Sequence, residues 1–239
     1  MSGHSKWSTI KRKKGAKDAK RGAIFTRLGK DITLAARDGG GDITMNAGLR
    51  LAVKKAKASN MPNNNIERAI KKGTGELAGQ KYESYIYEGY GPYGVALLIE
   101  VLSDNKNRTV PEIRHLLTKH NGNLGESGCV NWMFEKKGII FINKNDLKED
   151  QFLEDLLELN IENYDELDDG YELLVDPSTF QLTIQYLEDK NYFLEGKISL
   201  VPINFVSVSR DKVDSIITLI NSLELHEDVQ KVHTNISIE

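Results

Sequence analysis

Apolar residues recur at steps of three and four through the first third of the chain. Beyond it they alternate with polar ones or form short unbroken runs. Between Asp18 and Asp38, the residues Phe25, Leu28, Ile32 and Ala35 make one stripe of an amphipathic helix, which Gly39, Gly40 and Gly41 end. A second helix is predicted from an Asn46 cap through Leu49, Ala52, Val53 and Ala56, stopping at Asn60 ahead of Pro62. A third opens with Asn64 and Glu67 at capping-box spacing, buries Ile66, Ala69 and Ile70, and closes at Gly73. Three short helices with narrow apolar stripes predict a small bundle that draws support from the rest of the chain.

From Tyr82 the period changes to that of strands. Tyr85–Tyr87 and Val95–Leu102 read as strands joined by a glycine-rich turn, Gly89–Gly94. A helix follows over Pro111–His120, and Cys129–Phe134 returns to strand. Next come strand Gly138–Ile142, helix Asp150–Leu159, strands Ile161–Glu166 and Tyr171–Val175, helix Pro177–Asp189 and strand Leu194–Val201. That is the β-α-β-β-α-β order of a ferredoxin-like unit. After Pro202 the pattern gives strand Phe205–Val208, helix Asp211–Leu223 and strand Val229–Ile238. Strand, helix and strand over 94–134 thus match strand, helix and strand over 203–238, as though the middle unit were inserted between two halves.

The predicted class is α+β in three domains. Residues 1–80 form a basic helical domain with an N-terminal arm, and residues 81–135 plus 203–239 a discontinuous α+β domain. Residues 136–202 form an inserted acidic α+β domain.

Charge sharpens this division. The 239 residues carry a net charge of −3, yet residues 1–80 hold 18 basic and 6 acidic side chains, net +12. The remaining 14 basic and 29 acidic side chains leave residues 81–239 at −15. Such asymmetry marks a nucleic-acid-binding part joined to a part with another task. Seven basic side chains and one acid occupy 11–21: Lys11, Arg12, Lys13, Lys14, Lys17, Lys20 and Arg21, against Asp18. Arg27 follows on the first helix. Arg50, Lys54 and Lys57, flanked by Lys55, recur at helical spacing on the second, and Arg68, Lys71 and Lys72 share a face of the third. A solvated helix face ordinarily mixes both signs; here acids are scarce, and the density fits a phosphate backbone with its condensed counterions. Lys6 and Trp7 precede the basic run, where an indole serves either to stack on an unpaired base or to anchor the arm to its own domain. Gly3, Gly15 and low apolar content predict an arm that orders on binding. No recognition-helix or zinc-finger spacing is present, so base-specific readout does not follow from the pattern.

Eleven acids and no Lys or Arg lie between Glu149 and Glu172. That face either repels nucleic acid and so orients the basic end, or meets a basic protein, or is simply solvated.

Catalytic and metal chemistry find little support. Gly89, Gly91 and Gly94 match a dinucleotide fingerprint by letter, but a strand follows and Pro92 sits inside, so the stretch reads as a hairpin turn. Asp165–Gly170 resembles a calcium loop with Leu167 at a ligand position, and reads as a loop between strands. The single Cys129 excludes an intrachain disulfide and reads as a buried structural thiol. The five histidines show no metal spacing. No catalytic residue, metal or cofactor is predicted. A remote enzymatic alternative places Asp104, Asn107 and Arg108 in an interdomain cleft, although Asn107 or Thr109 serves equally to cap the helix before Pro111. The longest apolar runs, Val95–Ile99 and Ile139–Ile142, are too short to cross a bilayer, and MSGHSKW lacks the apolar segment of a secretion signal. These features point to a cytoplasmic protein with no membrane partner.

The chain resembles the YebC/PmpR family from end to end. The resemblance rests on GHSKW at Gly3–Trp7, KDAKRGAIFTRL at Lys17–Leu28, NMPNNNIERAIKKGTG at Asn60–Gly75 and YEGYGPYGVA at Tyr87–Ala96. It continues through DNKNRTVPEIR at Asp104–Arg114 and GNLGESGCVNWMFEKKG at Gly122–Gly138. Ala47 stands where relatives usually have Pro, and Cys129 where Ser is common. The resemblance implies a three-domain, non-enzymatic regulator of gene expression. Two readings follow from it. One is a DNA-binding transcriptional regulator holding promoter DNA through the first domain. The other is a ribosome-associated translation factor holding ribosomal RNA, as described for a mitochondrial activator of cytochrome oxidase synthesis. Oligomeric state is not legible.

Overall fold

The structure, a computed structural model, describes residues 21–77, 82–144 and 147–238. Helix α1 spans Arg21–Gly39, α2 Ala47–Ala58 and α3 Asn63–Gly73. The apolar stripe of α1 centres on Ile32 and Ala36, both buried, with Phe25, Leu28 and Ala35 at its margins. Leu49, Ala52, Val53 and Ala56 of α2, Met61, and Ile66 and Ala69 of α3 complete this cluster. Four of its nine buried members are alanine, so the helices approach closely. Asn46 caps α2 as its spacing predicts: its Oδ1 accepts from the Leu49 N–H at 3.0 Å. Its Nδ2 also donates to the Ala35 and Gly40 carbonyls, both at 2.8 Å, which fixes the end of α1 against the start of α2.

The capping box at Asn64 and Glu67 is not formed. Helix α3 begins at Asn63 behind Pro62, with no side-chain cap. The Pro62 carbonyl already accepts from the N–H groups of Asn65 and Ile66, so Asn64 lies inside the first turn, where its side chain cannot cap.

Strands β1 (Glu83–Tyr90) and β2 (Ala96–Ser103) pair antiparallel, with Tyr90 opposite Ala96. The glycine-rich stretch between them is a turn. Gly91 N–H donates to the Val95 carbonyl, and Tyr93 and Gly94 both take positive φ (+64° and +77°) to reverse the chain. Helix α4 (Lys106–Lys119) starts earlier than Pro111, because Asn105 caps it by accepting from the Arg108 N–H. Asn107 and Thr109 therefore lie within the helix and are not its cap.

Of the predicted Cys129–Phe134 strand only Phe134 is one, as the first residue of a later strand; Cys129–Met133 is not. Its amides are drawn elsewhere: buried Glu88 accepts from the N–H groups of Gly128, Val130 and Asn131 at 2.7–2.8 Å, curling the chain into a 3-10 turn at Asn131–Met133. Cys129 is half-buried beside that carboxylate, not fully buried; desolvation and the Glu88 charge push its thiol pKa up.

Strand β3 (Asn123–Leu124) adds to β1, and β9 (Val229–Thr234) adds to β2, giving the sheet order β3-β1-β2-β9. The chain leaves this sheet after β3 and re-enters it at β9. Strand β2 is buried on both faces, which is why it reads as an unbroken apolar run. Leu97, Ile99 and Val101 pack with Ile113 and Leu117 of α4 and with Ile216, Ile220 and Leu223 of helix α7 (Arg210–Glu224). Ala96 and Leu98 face Val130 and Phe134.

A second sheet has the order β5-β6-β4-β7, built from β4 (Phe134–Asn143), β5 (Asn163–Glu166), β6 (Gly170–Val175) and β7 (Leu194–Pro202). All its pairings are antiparallel, and helices α5 (Glu149–Leu157) and α6 (Phe180–Asp189) complete the predicted β-α-β-β-α-β order. Within the predicted loop Asp165–Gly170, the turn itself is Leu167–Asp169, with the Leu167 N–H donating to the Gly170 carbonyl, while Asp165 and Glu166 end β5 and Gly170 opens β6. The core of this unit comprises Ile140, Ile142, Phe152, Leu173 and Leu187, among others.

The predicted order of strand, helix and strand recurs on either side of this unit, as β2, α4 and β3 before it and as a strand, α7 and β9 after it; the strand that follows α4 is the short β3 and not 129–134. Strand β8 (Val206–Val208) pairs in parallel with β10 (Ile236–Ile238), outside the larger sheet. The single predicted strand 229–238 is broken at Asn235, whose Oδ1 accepts from the Ala96 N–H and whose carbonyl accepts from Val206 N–H. The overall class is mixed α+β, as predicted.

Candidate nucleic-acid interface

Lys6, Trp7, Lys11, Arg12, Lys13, Lys14, Lys17 and Lys20 lie outside the described residues, as does the side chain of Arg21. The remaining basic residues fall into three settings.

Arg50, Lys54 and Lys57 follow one another at steps of four and three on α2, opposite the buried Leu49, Ala52, Val53 and Ala56, and all three are exposed. Arg50 is oriented by its own guanidinium, which donates to the Ile43 and Thr44 carbonyls at 3.0 and 2.9 Å. Lys55, on the neighbouring face, acts on Asp31 of α1. Burial raises the pKa of that carboxyl, and the charges of Lys55 and Arg27 oppose the rise.

On α3, Arg68 and Lys72 stand four residues apart and line a cleft of about 380 Å³ against α1, together with Asn65, Phe25, Met61 and Tyr82. Lys71 is exposed outside that cleft.

Arg27 has a different environment. Its guanidinium donates to the Glu224 carbonyl at the last turn of α7, which joins α1 to the larger sheet assembly.

Spacing did not reveal the junction one turn further along α1. Lys30 is 6% exposed, and its Nζ donates to the Leu102 carbonyl (3.1 Å), the Glu227 carbonyl (2.8 Å) and Asp228 Oδ1 (2.5 Å). Asp228, fully buried, also accepts at Oδ2 from Thr109 (2.6 Å), Arg108 (2.9 Å) and Ser103 (3.1 Å). Desolvation alone would raise the Asp228 pKa. The hydrogen bonds from Lys30, Thr109 and Arg108 outweigh it and hold the carboxyl well below the usual carboxylate range. Its neighbour His226 receives the Asp228 N–H on Nδ1 and faces Glu112 through Nε2 at 2.8 Å. Spacing carries no signal for it: on α1 Lys30 lies on the side opposite Phe25, Leu28 and Ile32, together with Arg27 and Arg37, as an ordinary solvated cation would. Of the residues proposed for an enzymatic cleft, Arg108 is committed to Asp104 and Asp228, and Asn107 is exposed on α4.

The acidic stretch is partly neutralised within its own sheet. Lys137 pairs with Glu162 (2.6 Å), Lys144 with Glu166 (2.5 Å) and Lys190 with Asp155 (2.7 Å). Among the described residues, no group of three His, Cys, Asp or Glu is placed to hold a metal, and no helix is long and apolar enough to cross a membrane.

Comparison with known proteins gives full-length matches. The family described as TACO1/YebC protein N-terminal domain matches residues 5–76, and that described as TACO1/YebC second and third domain matches residues 82–236. A protein of Desulfotalea psychrophila named as a probable transcriptional regulatory protein is 53% identical over 241 residues, covering 100% of this chain and 96% of that one. A Geobacter sulfurreducens protein of the same name is 51% identical over 239 residues, with the same coverage. The crystal structure of a conserved hypothetical protein from Aquifex aeolicus superposes with a TM-score of 0.77 at 40% identity, covering 93% of this chain and 92% of that one.

Proposed function

The chain belongs to the TACO1/YebC family, and we propose that it regulates transcription by binding DNA through its basic helical third, without catalysing a reaction. The observation that carries this reading is the exposed row Arg50, Lys54 and Lys57 in a segment of net charge +12, joined to a remainder of −15. The relatives' name, probable transcriptional regulatory protein, supplies the biological task. Physically, a row of solvent-facing cations with few acids near it neutralises phosphates and releases counterions, and this term is indifferent to base sequence. The negative remainder disfavours the reverse orientation on a polyanion.

Fluorescence anisotropy on duplexes taken from upstream regions of the source genome, titrated against salt, tests the proposal. The expected result is a subset of duplexes bound up to about a thousandfold tighter than shuffled sequence. Log affinity should fall linearly with log salt at about 0.9 per neutralised phosphate. Equal affinity for every duplex removes regulation by site choice. Ribosomal RNA binding tighter than all duplexes reassigns the cations to translation.

A further inference from the structure

The cleft between α1 and α3 differs in chemistry from the open cationic row on α2. Asn65, Arg68 and Lys72 succeed one another at steps of three and four, so all three face it from α3. Phe25 of α1, Met61 and Tyr82 supply apolar and aromatic wall. Its cationic lining is Arg68 and Lys72, with Lys30 behind them already paired to Asp228, and no acid lines it. At about 380 Å³ it is at the small end of ligand pockets, suited to one nucleotide and too small for a duplex.

Gly29 gives an independent indication. Glycine inside a helix is unfavourable, and α1 carries one in its middle, on the cleft wall. No close packing demands it: a Cβ placed there meets only the Met61 methyl, at an ordinary 3.7 Å. The absence of a side chain keeps the space open.

Resting on the nucleic-acid reading above, we propose that this cleft receives a single unpaired nucleotide of the bound strand. The base packs against Phe25, Met61 and Tyr82, and its phosphate lies on Arg68 and Lys72. The Asn65 amide, a donor and an acceptor, meets the base edge. The exposed row on α2 holds backbone of any kind, whereas the cleft takes a nucleotide only once it has left the stack, in a melted strand or by extrusion.

The test uses the full chain and labelled single strands of about a dozen nucleotides, one natural and one with its central bases removed but its phosphates intact. Stacking of one base predicts that the natural strand binds roughly five- to a hundredfold tighter. Gly29→Leu, which fills the cleft, should erase that difference and leave the abasic affinity unchanged. Tyr82→Phe should keep the difference and Tyr82→Ala lose it, which preserves the test if the leucine variant fails to fold. A free mononucleotide that abolishes the surplus at low concentration would show that the cleft serves a soluble nucleotide, overturning the strand assignment. Equal affinity for natural and abasic strands overturns the pocket while the cationic grip stands. If neither strand nor any duplex binds at low salt, both readings fall.

Discussion

On α2, Arg50, Lys54 and Lys57 project into solvent from a helix whose other side is fully packed. On α1, Lys30 is inserted between the helical cluster and the sheet assembly, with every donor of its ammonium engaged. The first group keeps its hydration, so its charge costs the fold little and remains available to a phosphate. The second has lost its water, and Asp228, two carbonyls and the face of the Tyr82 ring, 5.4 Å from the ammonium, compensate it. The same side-chain chemistry therefore serves recognition in one place and joins two parts of the fold in the other, and burial alone separates the roles.

The strongest way to break this contrast is to remove the acceptor at the centre of the buried group. Asp228→Ala leaves Lys30, Arg108, Ser103 and Thr109 without their shared partner. We expect a loss of about 3–5 kcal/mol, the range for orphaning a buried ion pair, read by urea denaturation at neutral pH. The acid limb sharpens the assignment. The folded carboxyl sits below its ordinary value, so its stabilisation is complete above the unfolded value near about 3.9 and is lost as pH falls toward the folded one. Asp228→Asn should therefore flatten the decline in stability of the intact protein below about pH 4. An unchanged acid limb would show that Asp228 is not held as the anion.

A smaller effect is expected from the other side of the pair. Lys30→Met removes the ammonium but keeps most of the apolar stem, and Asp228 retains Arg108, Thr109 and Ser103 as donors. The cost should be about 1–3 kcal/mol, from the unpaired Leu102 and Glu227 carbonyls and the missing ion pair. A loss matching that of Asp228→Ala would mean that Lys30, and not the shared carboxylate, organises the junction.

Why one region was legible in the sequence and the other was not follows from the range of the interactions. Helices α1 to α3 carry their own periodicity, and the Asn46 cap is a contact over three residues, so local pattern suffices. The β-α-β-β-α-β order was equally readable, because turns such as Leu167–Asp169 and apolar alternation are local. Where sequence reasoning failed, a distant partner had intervened. The 129–134 segment has strand-like residues, but Glu88, some forty positions earlier, takes its amides. Strand 229–238 breaks because Asn235 serves Ala96 and Val206 in different strands. Lys30 and Asp228 are separated by 198 positions, and nothing in either neighbourhood announces the other. Arg27 illustrates the same limit at the interface: its spacing grouped it with the basic face, and its bond to Glu224 depends on a helix nearly two hundred residues away.

The smallest expected effect on stability, and the largest contrast with binding, comes from the exposed row. Reversing Arg50, Lys54 and Lys57 together to Glu places three acids where solvent satisfies Lys54 and Lys57, and solvent with two backbone carbonyls satisfies Arg50. Each change should shift unfolding by no more than about 0.5 kcal/mol, because surface substitutions away from caps and cores rarely do more. Arg50 is the one to watch, since its bonds to Ile43 and Thr44 tie down the loop before α2; restoring it alone separates that contribution. Duplex affinity should fall steeply in low salt, and the slope of log affinity on log salt should shrink by about 0.9 for each phosphate left without its cation. Stability falling in step with affinity would instead make these side chains part of the scaffold. A fold left intact with binding abolished would place recognition on the hydrated cations and cohesion on the dehydrated one.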